Sequence, residues 1–228
     1  MIVGISCFIL TLLVYFGTKI FYRSHRRVFF TPVILTPLLV IGILAFADIP
    51  YAAYHEGTRY ISNMIGPATV ALAVPLYKNR HVLKKHALSI LLSVLTGSTV
   101  AIVSTAWAAK MLHLDLEIID SIAPRSATTP IAVAVSGLIG GIPAITAVFV
   151  LATGVLGMVL GPVVIRFFRF KNDVAHGVLL GTSAHAVGTT KAFELSSASG
   201  SVSTVAMILT AFFTLCTAPW IVPLLLVR

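Results

Sequence analysis

The chain has 228 residues, of which 58% are hydrophobic and 10% charged, and its mean hydropathy is +1.02. Such values exclude a water-soluble domain and leave an integral membrane protein. The net charge of +9 would direct a soluble protein toward nucleic acid; here the basic residues lie between apolar runs, as topogenic loops on an anionic inner leaflet do, and nucleic acid is not an expected partner.

A helical span of the bilayer core takes about 20 apolar residues. Apolar runs and breakers divide the chain into eight segments, 2–21, 32–49, 61–77, 87–109, 119–137, 143–167, 174–190 and 202–226. In the first run the basic residues follow the apolar stretch, and no small-x-small cleavage site precedes Arg23, so the run reads as a span and not as a secretory signal. Cys7 and Cys216 sit singly in apolar runs and suggest neither a disulfide framework nor a zinc site.

Three basic clusters punctuate the chain: Lys19, Arg23, Arg26 and Arg27; Lys78, Arg80, Lys84 and Lys85; Arg166, Arg169 and Lys171. The positive-inside rule places all three in the cytoplasm. Simple alternation satisfies the first two, with Asp115, Glu117 and Asp120 outside; for the third, either the charge rule fails or one of the fifth and sixth segments does not cross, and the fifth is the better suspect. That segment reads Ser-Ile-Ala-Pro-Arg-Ser-Ala-Thr-Thr-Pro from Ser121 to Pro130. Two prolines without backbone donors and a charge between them predict a broken or re-entrant segment.

The expectation is an all-α polytopic membrane protein with seven to eight transmembrane segments. One membrane domain covers 1–228, with seven crossings, a cytoplasmic C-terminus and inverted-repeat halves of about 1–112 and 113–228. The third segment is interrupted at Gly66-Pro67 and Pro75 and the seventh at Gly181 and Gly188, and paired interruptions point to a transporter site.

An arginine inside a membrane segment costs roughly 2.5–3.5 kcal/mol on insertion scales and is retained for a partner. Arg125 either snorkels to the interface, pairs with Asp120, or meets an anionic substrate. Ser126, Thr128 and Thr129 add hydroxyls beside it, and a helix starting near Pro130 would aim free amides at the same spot, a combination suited to a carboxylate. The second constellation is Gly181-Thr-Ser-Ala-His185-Ala-Val-Gly188-Thr189-Thr190-Lys191. Within it His185 is a proton carrier, a donor to substrate or a satisfied buried histidine. Thr189 and Thr190 are further candidates, while Lys191 contacts substrate or pairs with Glu194 at i, i+3. Asn63 and Thr69 add polar groups from the third segment, with Asn63 alternatively a helix cap. Gly154, Gly157 and Gly161 permit close helix packing, inside the fold or between copies of a homo-oligomer.

No Walker loop, HExxH, dinucleotide fingerprint or intramembrane carboxylate pair is present, so neither enzyme activity nor a cofactor or metal is expected; whether protons or sodium ions couple to transport stays open. The residues Ile65-Gly-Pro-Ala-Thr-Val-Ala-Leu-Ala-Val-Pro-Leu-Tyr77, Ala123-Pro-Arg-Ser-Ala-Thr-Thr-Pro-Ile131, Gly140-Gly-Ile-Pro143 and Gly181-Thr-Ser-Ala-His-Ala-Val-Gly-Thr189, in this order over nearly the whole chain, resemble the LrgB/CidB family. The chain departs from that pattern at Arg125, where relatives usually carry lysine, and at Ala186-Val187, where they carry glycine-isoleucine.

The resemblance implies two activities. Bacterial members are described as holin- or antiholin-like modulators of murein hydrolase activity and autolysis, acting in the cytoplasmic (inner) membrane with a small LrgA/CidA-type partner. Plastid relatives are associated with glycolate and glycerate transport and some bacterial pairs with pyruvate, all small monocarboxylates.

Overall fold

The computed structural model describes residues 2–25 and 30–226, with the backbone alone at positions 2, 65 and 69. Arg26 and Arg27 of the first basic cluster, and the side chain of Thr69, lie outside the described residues. Among the described residues every regular element is a helix, and the chain divides into two compact units, Met1–Ala71 and Leu72–Arg228.

The first unit contains α1 (Ile2–Ser24), α2 (Pro32–Phe46), α3 (Tyr51–Asn63) and α4 (Ile65–Ala71). α1 is long and apolar enough to cross a membrane. It pairs with α2 through the hydroxyls of Thr18 and Thr36, 2.7 Å apart. α3 carries His55, Glu56 and Arg59 and was not an expected element, because the eight segments were located by apolar runs. It lies on α1 where Gly57 meets Gly4: a Cβ on Gly57 would sit 2.6 Å from the Gly4 Cα. Backbone cannot yield as a side-chain end does, so Gly57→Ala is expected to destabilise the protein by about 1–3 kcal/mol, read as a lower Tm of the purified protein.

The second unit contains α5 (Ala73–Lys78), α6 (Arg80–Lys85), α7 (Ala87–Met111), α8 (Leu116–Ile122), α9 (Thr129–Ile139), α10 (Pro143–Phe167), α11 (Asp173–Leu195) and α12 (Ser197–Leu226). The expected third segment is divided among the end of α3, α4 and α5. α7, α10 and α12 are long and apolar enough to span. Their relative directions follow from their packing. Ile90 and Val94 of α7 cluster with Val202 and Ala206 of α12, and further along Ile102 clusters with Ala218 and Val222, so the two helices run parallel. α10 runs opposite, since its C-terminal half packs on the first half of α11, whose Val174 lies beside Ile90.

Two shorter segments fold back on themselves. In the first, α8 and α9 are separated by a turn at 123–128, and the exit of α9 returns to α8: the Ile142 amide donates to Ser121 Oγ at 2.7 Å. Gly140 closes α9 with φ +100°, a left-handed cap that favours glycine. At Gly141 a Cβ would lie 2.7 Å from the Ser121 nitrogen. Pro143 then opens α10, where a missing N–H costs nothing.

The second is α11. His185, with φ 38° and ψ −124°, breaks it into two arms. Both arms lie against α12 in opposite senses: Gly177 meets Ser199 and Val202, and Gly181 meets Ser203 and Ala206, whereas Thr189 bonds Ser203 and Phe193 meets Gly200. The two ends of α11 come together at the start of α12, where Ser199 Oγ donates to Asp173 Oδ1 at 2.9 Å and Ser196 Oγ donates to Ser199 Oγ at 3.0 Å.

The fifth segment is thus re-entrant, as expected. The seventh departs from expectation: it is a helical hairpin with its tip at His185, not a through-going span. The reason is physical, because glycines at 181 and 188 let backbone approach backbone: a Cβ on Gly188 would lie 2.6 Å from the Ala184 Cβ and still nearer the Leu180 carbonyl. Leu83 of α6 packs with Val174 in one cluster, so the second and third basic clusters occupy one end of this unit, which the positive-inside rule makes cytoplasmic. The α11 hairpin enters from that end and the α8–α9 hairpin from the other. With α11 returning, α12 runs away from the basic end, so the expected cytoplasmic C-terminus is corrected.

Candidate functional site

α10 records where the hairpins meet. Near its start, Thr146 Oγ1 donates to Ser136 Oγ of α9 at 2.7 Å. Halfway along, Arg125 Nη1 donates to Thr153 Oγ1 at 3.3 Å, and the next residue, Gly154, lies against the His185 ring, where an added Cβ would be 2.9 Å from Cε1. Beyond, Gly157 meets Ala184 and Gly161 meets Leu180. The two tips therefore face each other at the middle of a spanning helix. The three α10 glycines are filled from inside the chain by α11.

Arg125 is half-buried, and the bond to Thr153 uses one of its five N–H donors. His185 is buried, and its Nε2 has no partner among the described residues. Its φ of 38° is an uncommon conformation for a residue with a Cβ, a strain that concentrates at functional sites. Ser126 is also buried with an unpartnered hydroxyl. Thr128 is the N-cap of α9, with extended backbone and no side-chain cap bond, and Thr129 begins the helix exposed. The first amides of α9, at Thr129 and Ile131, consequently lie beside the Arg125 tip without helical acceptors.

The remaining candidates have other commitments. Thr189 bonds Ser203 Oγ at 2.9 Å and holds the second arm of α11 on α12. Thr190 donates back to the Ala186 carbonyl at 3.1 Å. Lys191, past the tip on the returning arm, pairs with Glu194 at 2.6 Å. Asn63 belongs to the first unit, at the end of α3, where it lines a cavity of about 770 Å³ with Glu56, Arg59 and Tyr60. Thr153 was not among the expected residues; a lone threonine in an apolar helix carries no sequence signal until a neighbour is placed beside it.

The likeness to known proteins extends over almost the whole chain. It is 54% identical over 221 residues to YwbG of Bacillus subtilis (strain 168), covering 97% of this chain and 98% of that protein. It is 34% identical to the holin-like protein CidB of Staphylococcus aureus (strain N315), over 89% of each chain. It is also 34% identical to the antiholin-like protein LrgB of B. subtilis (strain 168), over 92% of this chain and 90% of that protein. No solved structure matches it. The LrgB-like family model matches residues 11–224, and the chain is a multi-pass bacterial membrane protein belonging to the LrgB-like family.

Proposed function

We propose that the chain carries a small monocarboxylate of the pyruvate, glycolate or glycerate kind across the membrane. Arg125 and the amides at the start of α9 hold the carboxylate from one hairpin tip, and His185 contacts it from the other. The observation that carries this reading is the meeting, halfway along α10, of a guanidinium with donors to spare and a buried imidazole nitrogen without a partner. Cationic donors and helix N-termini suit a carboxylate, and broken segments meeting near the bilayer midplane suit a carrier that exposes its site to each face in turn. Ser126, Thr128 and Thr129 belong to the same tip.

Saturable uptake of labelled pyruvate or glycolate into proteoliposomes tests the proposal; no uptake above protein-free vesicles for either compound would sink it. Lys191→Ala is expected to leave uptake within about twofold, because an exposed ion pair contributes about 0–1 kcal/mol and the pair lies past the tip. A large loss of uptake in that variant would move the site along the returning arm.

Relatives named holin-like and antiholin-like supply a second reading, in which the chain regulates a membrane lesion together with a small LrgA/CidA-type partner. That reading predicts size-tolerant leakage of an entrapped dye that rises with protein density, whereas the carrier retains the dye while taking up substrate.

A further inference from the structure

On α12 the buried residues Val202, Ala206, Thr210, Thr214, Ala218 and Val222 recur at every fourth position, winding slowly about the helix. On α7 the corresponding residues are Ile90, Val94, Ser98, Ile102 and Ala106. Ile90, Val94, Val202 and Ala206 share one apolar cluster, and Ile102, Ala218 and Val222 share another. Parallel helices in this register place Ser98, Thr210 and Thr214 in a layer about one helical turn deep between the two clusters. The α8–α9 hairpin inserts its tip at the same height, because Ala123 joins the upper cluster and Ala127 packs with Ala211. Ser126 lies between those two alanines.

All four hydroxyls are between 0% and 4% exposed, and none has a hydrogen-bond partner among the described residues. Ser98, Thr210 and Thr214 differ in this from other helical hydroxyls of the chain. Thr99, Thr105 and Thr204 each donate to the carbonyl four residues back, at 2.8, 2.6 and 2.9 Å, the usual way to satisfy a hydroxyl in an apolar helix. A buried polar group without a partner is unfavourable and calls for an explanation. Three such hydroxyls on helices, with Ser126 of the inserted tip beside them, mark a place where a bound species supplies the missing contacts.

We infer that this layer is a site for a small monovalent cation, and that the cation is sodium. Hydroxyl oxygens are hard ligands, and irregular backbone at a helix break adds carbonyls; among the described residues no backbone N–H donates to the Ser126 carbonyl. Four neutral hydroxyls carry too little charge to strip water from a divalent ion. The nearby positive charge does not stand in the layer: the Arg125 side chain leaves the tip toward Thr153 of α10, whereas the hydroxyls belong to α7, α12 and the residue after it. Because Ser126 is adjacent to Arg125, filling the layer steadies the tip that holds the anion, which gives a route for coupling the two. The cation site itself does not depend on what binds at Arg125.

The test is the thermal midpoint of the purified protein in sodium, potassium or choline chloride at one ionic strength, for the wild type, Ser98→Ala and Thr214→Val. Ligand linkage predicts that saturating sodium raises the wild-type Tm by about 5 °C over choline, with smaller rises for potassium. The variants are expected to match or exceed the wild type in choline, since an unpartnered hydroxyl has been removed, and to lose most of the sodium rise. Three results overturn the site: no sodium rise in the wild type, an equal rise with potassium, or a sodium rise that persists undiminished in both variants. The midpoint is read without substrate, so a failure here is separate from a failure of monocarboxylate uptake.

Discussion

Arg125→Ala is expected to weaken half-saturation for pyruvate or glycolate uptake by roughly 30- to 150-fold. The figure follows from losing a charge-assisted hydrogen bond of about 2–3 kcal/mol. The side chain is half-buried at a hairpin tip, bonded to Thr153 and facing His185 across Gly154. Removing it leaves only the α9 amides and neutral hydroxyls as donors at that tip, and none of them carries a full charge. Arg125→Lys keeps the charge and loses the fork, so it is expected to fall between the two, within about tenfold of wild type. Proteoliposome uptake over a concentration series measures all three proteins. Equal half-saturation in the wild type and Arg125→Ala would remove the guanidinium from the site.

A second large effect is expected from a single methyl group. Gly188→Ala places a Cβ against the Leu180 carbonyl and 2.6 Å from the Ala184 Cβ. The obstruction is partly backbone, so the two arms of α11 must separate, and the tip bearing His185 moves away from Gly154. Overpacking of this kind costs about 1–3 kcal/mol. The consequence for transport is larger, because displacing the tip separates the two halves of the site, and uptake is expected to fall to the level of empty vesicles. Gly137→Ala serves as the control. A Cβ there meets nothing within 4 Å, and alanine favours a helix over glycine by up to about 1 kcal/mol, so that variant is expected to melt no lower than the wild type and to transport normally.

The class of protein and the position of both interruptions were legible in the sequence, for reasons that the structure makes concrete. Pro124, Arg125 and Pro130 disfavour a continuous apolar span, and the charge of Arg166, Arg169 and Lys171 required that either the fifth or the sixth segment not cross if the positive-inside rule holds; the prolines pointed to the fifth. The boundaries of α7 and α10 follow from apolar length alone. What was not legible is direction after a break. Gly181 and Gly188 signal close approach, but they do not tell whether the chain bends or reverses; the reversal is made by a histidine in a backbone conformation that no residue pattern announces.

α3 escaped notice because Tyr51–Asn63 alternates apolar residues with His55, Glu56 and Arg59 and falls below any span criterion. Of the candidate site residues, those beside the tips are brought together, whereas Thr189, Thr190 and Lys191 share a sequence motif with His185 but leave the tip along the returning arm. Thr153, Ser98, Thr210 and Thr214 could not be singled out by type, since a hydroxyl in an apolar helix ordinarily bonds its own backbone. Their distinction lies in partners, which only the packed structure defines.

On the proposed function, one small monocarboxylate is held between the two hairpin tips. Single cysteines at Thr129 and Ala186, both exposed positions beside the two tips, in a background with Cys7 and Cys216 replaced, can be alkylated with a small maleimide in proteoliposomes. Saturating pyruvate or glycolate is predicted to slow labelling at both positions, while an equal concentration of chloride has no such effect. Labelling rates that neither carboxylate changes at either position would remove the substrate from between the tips.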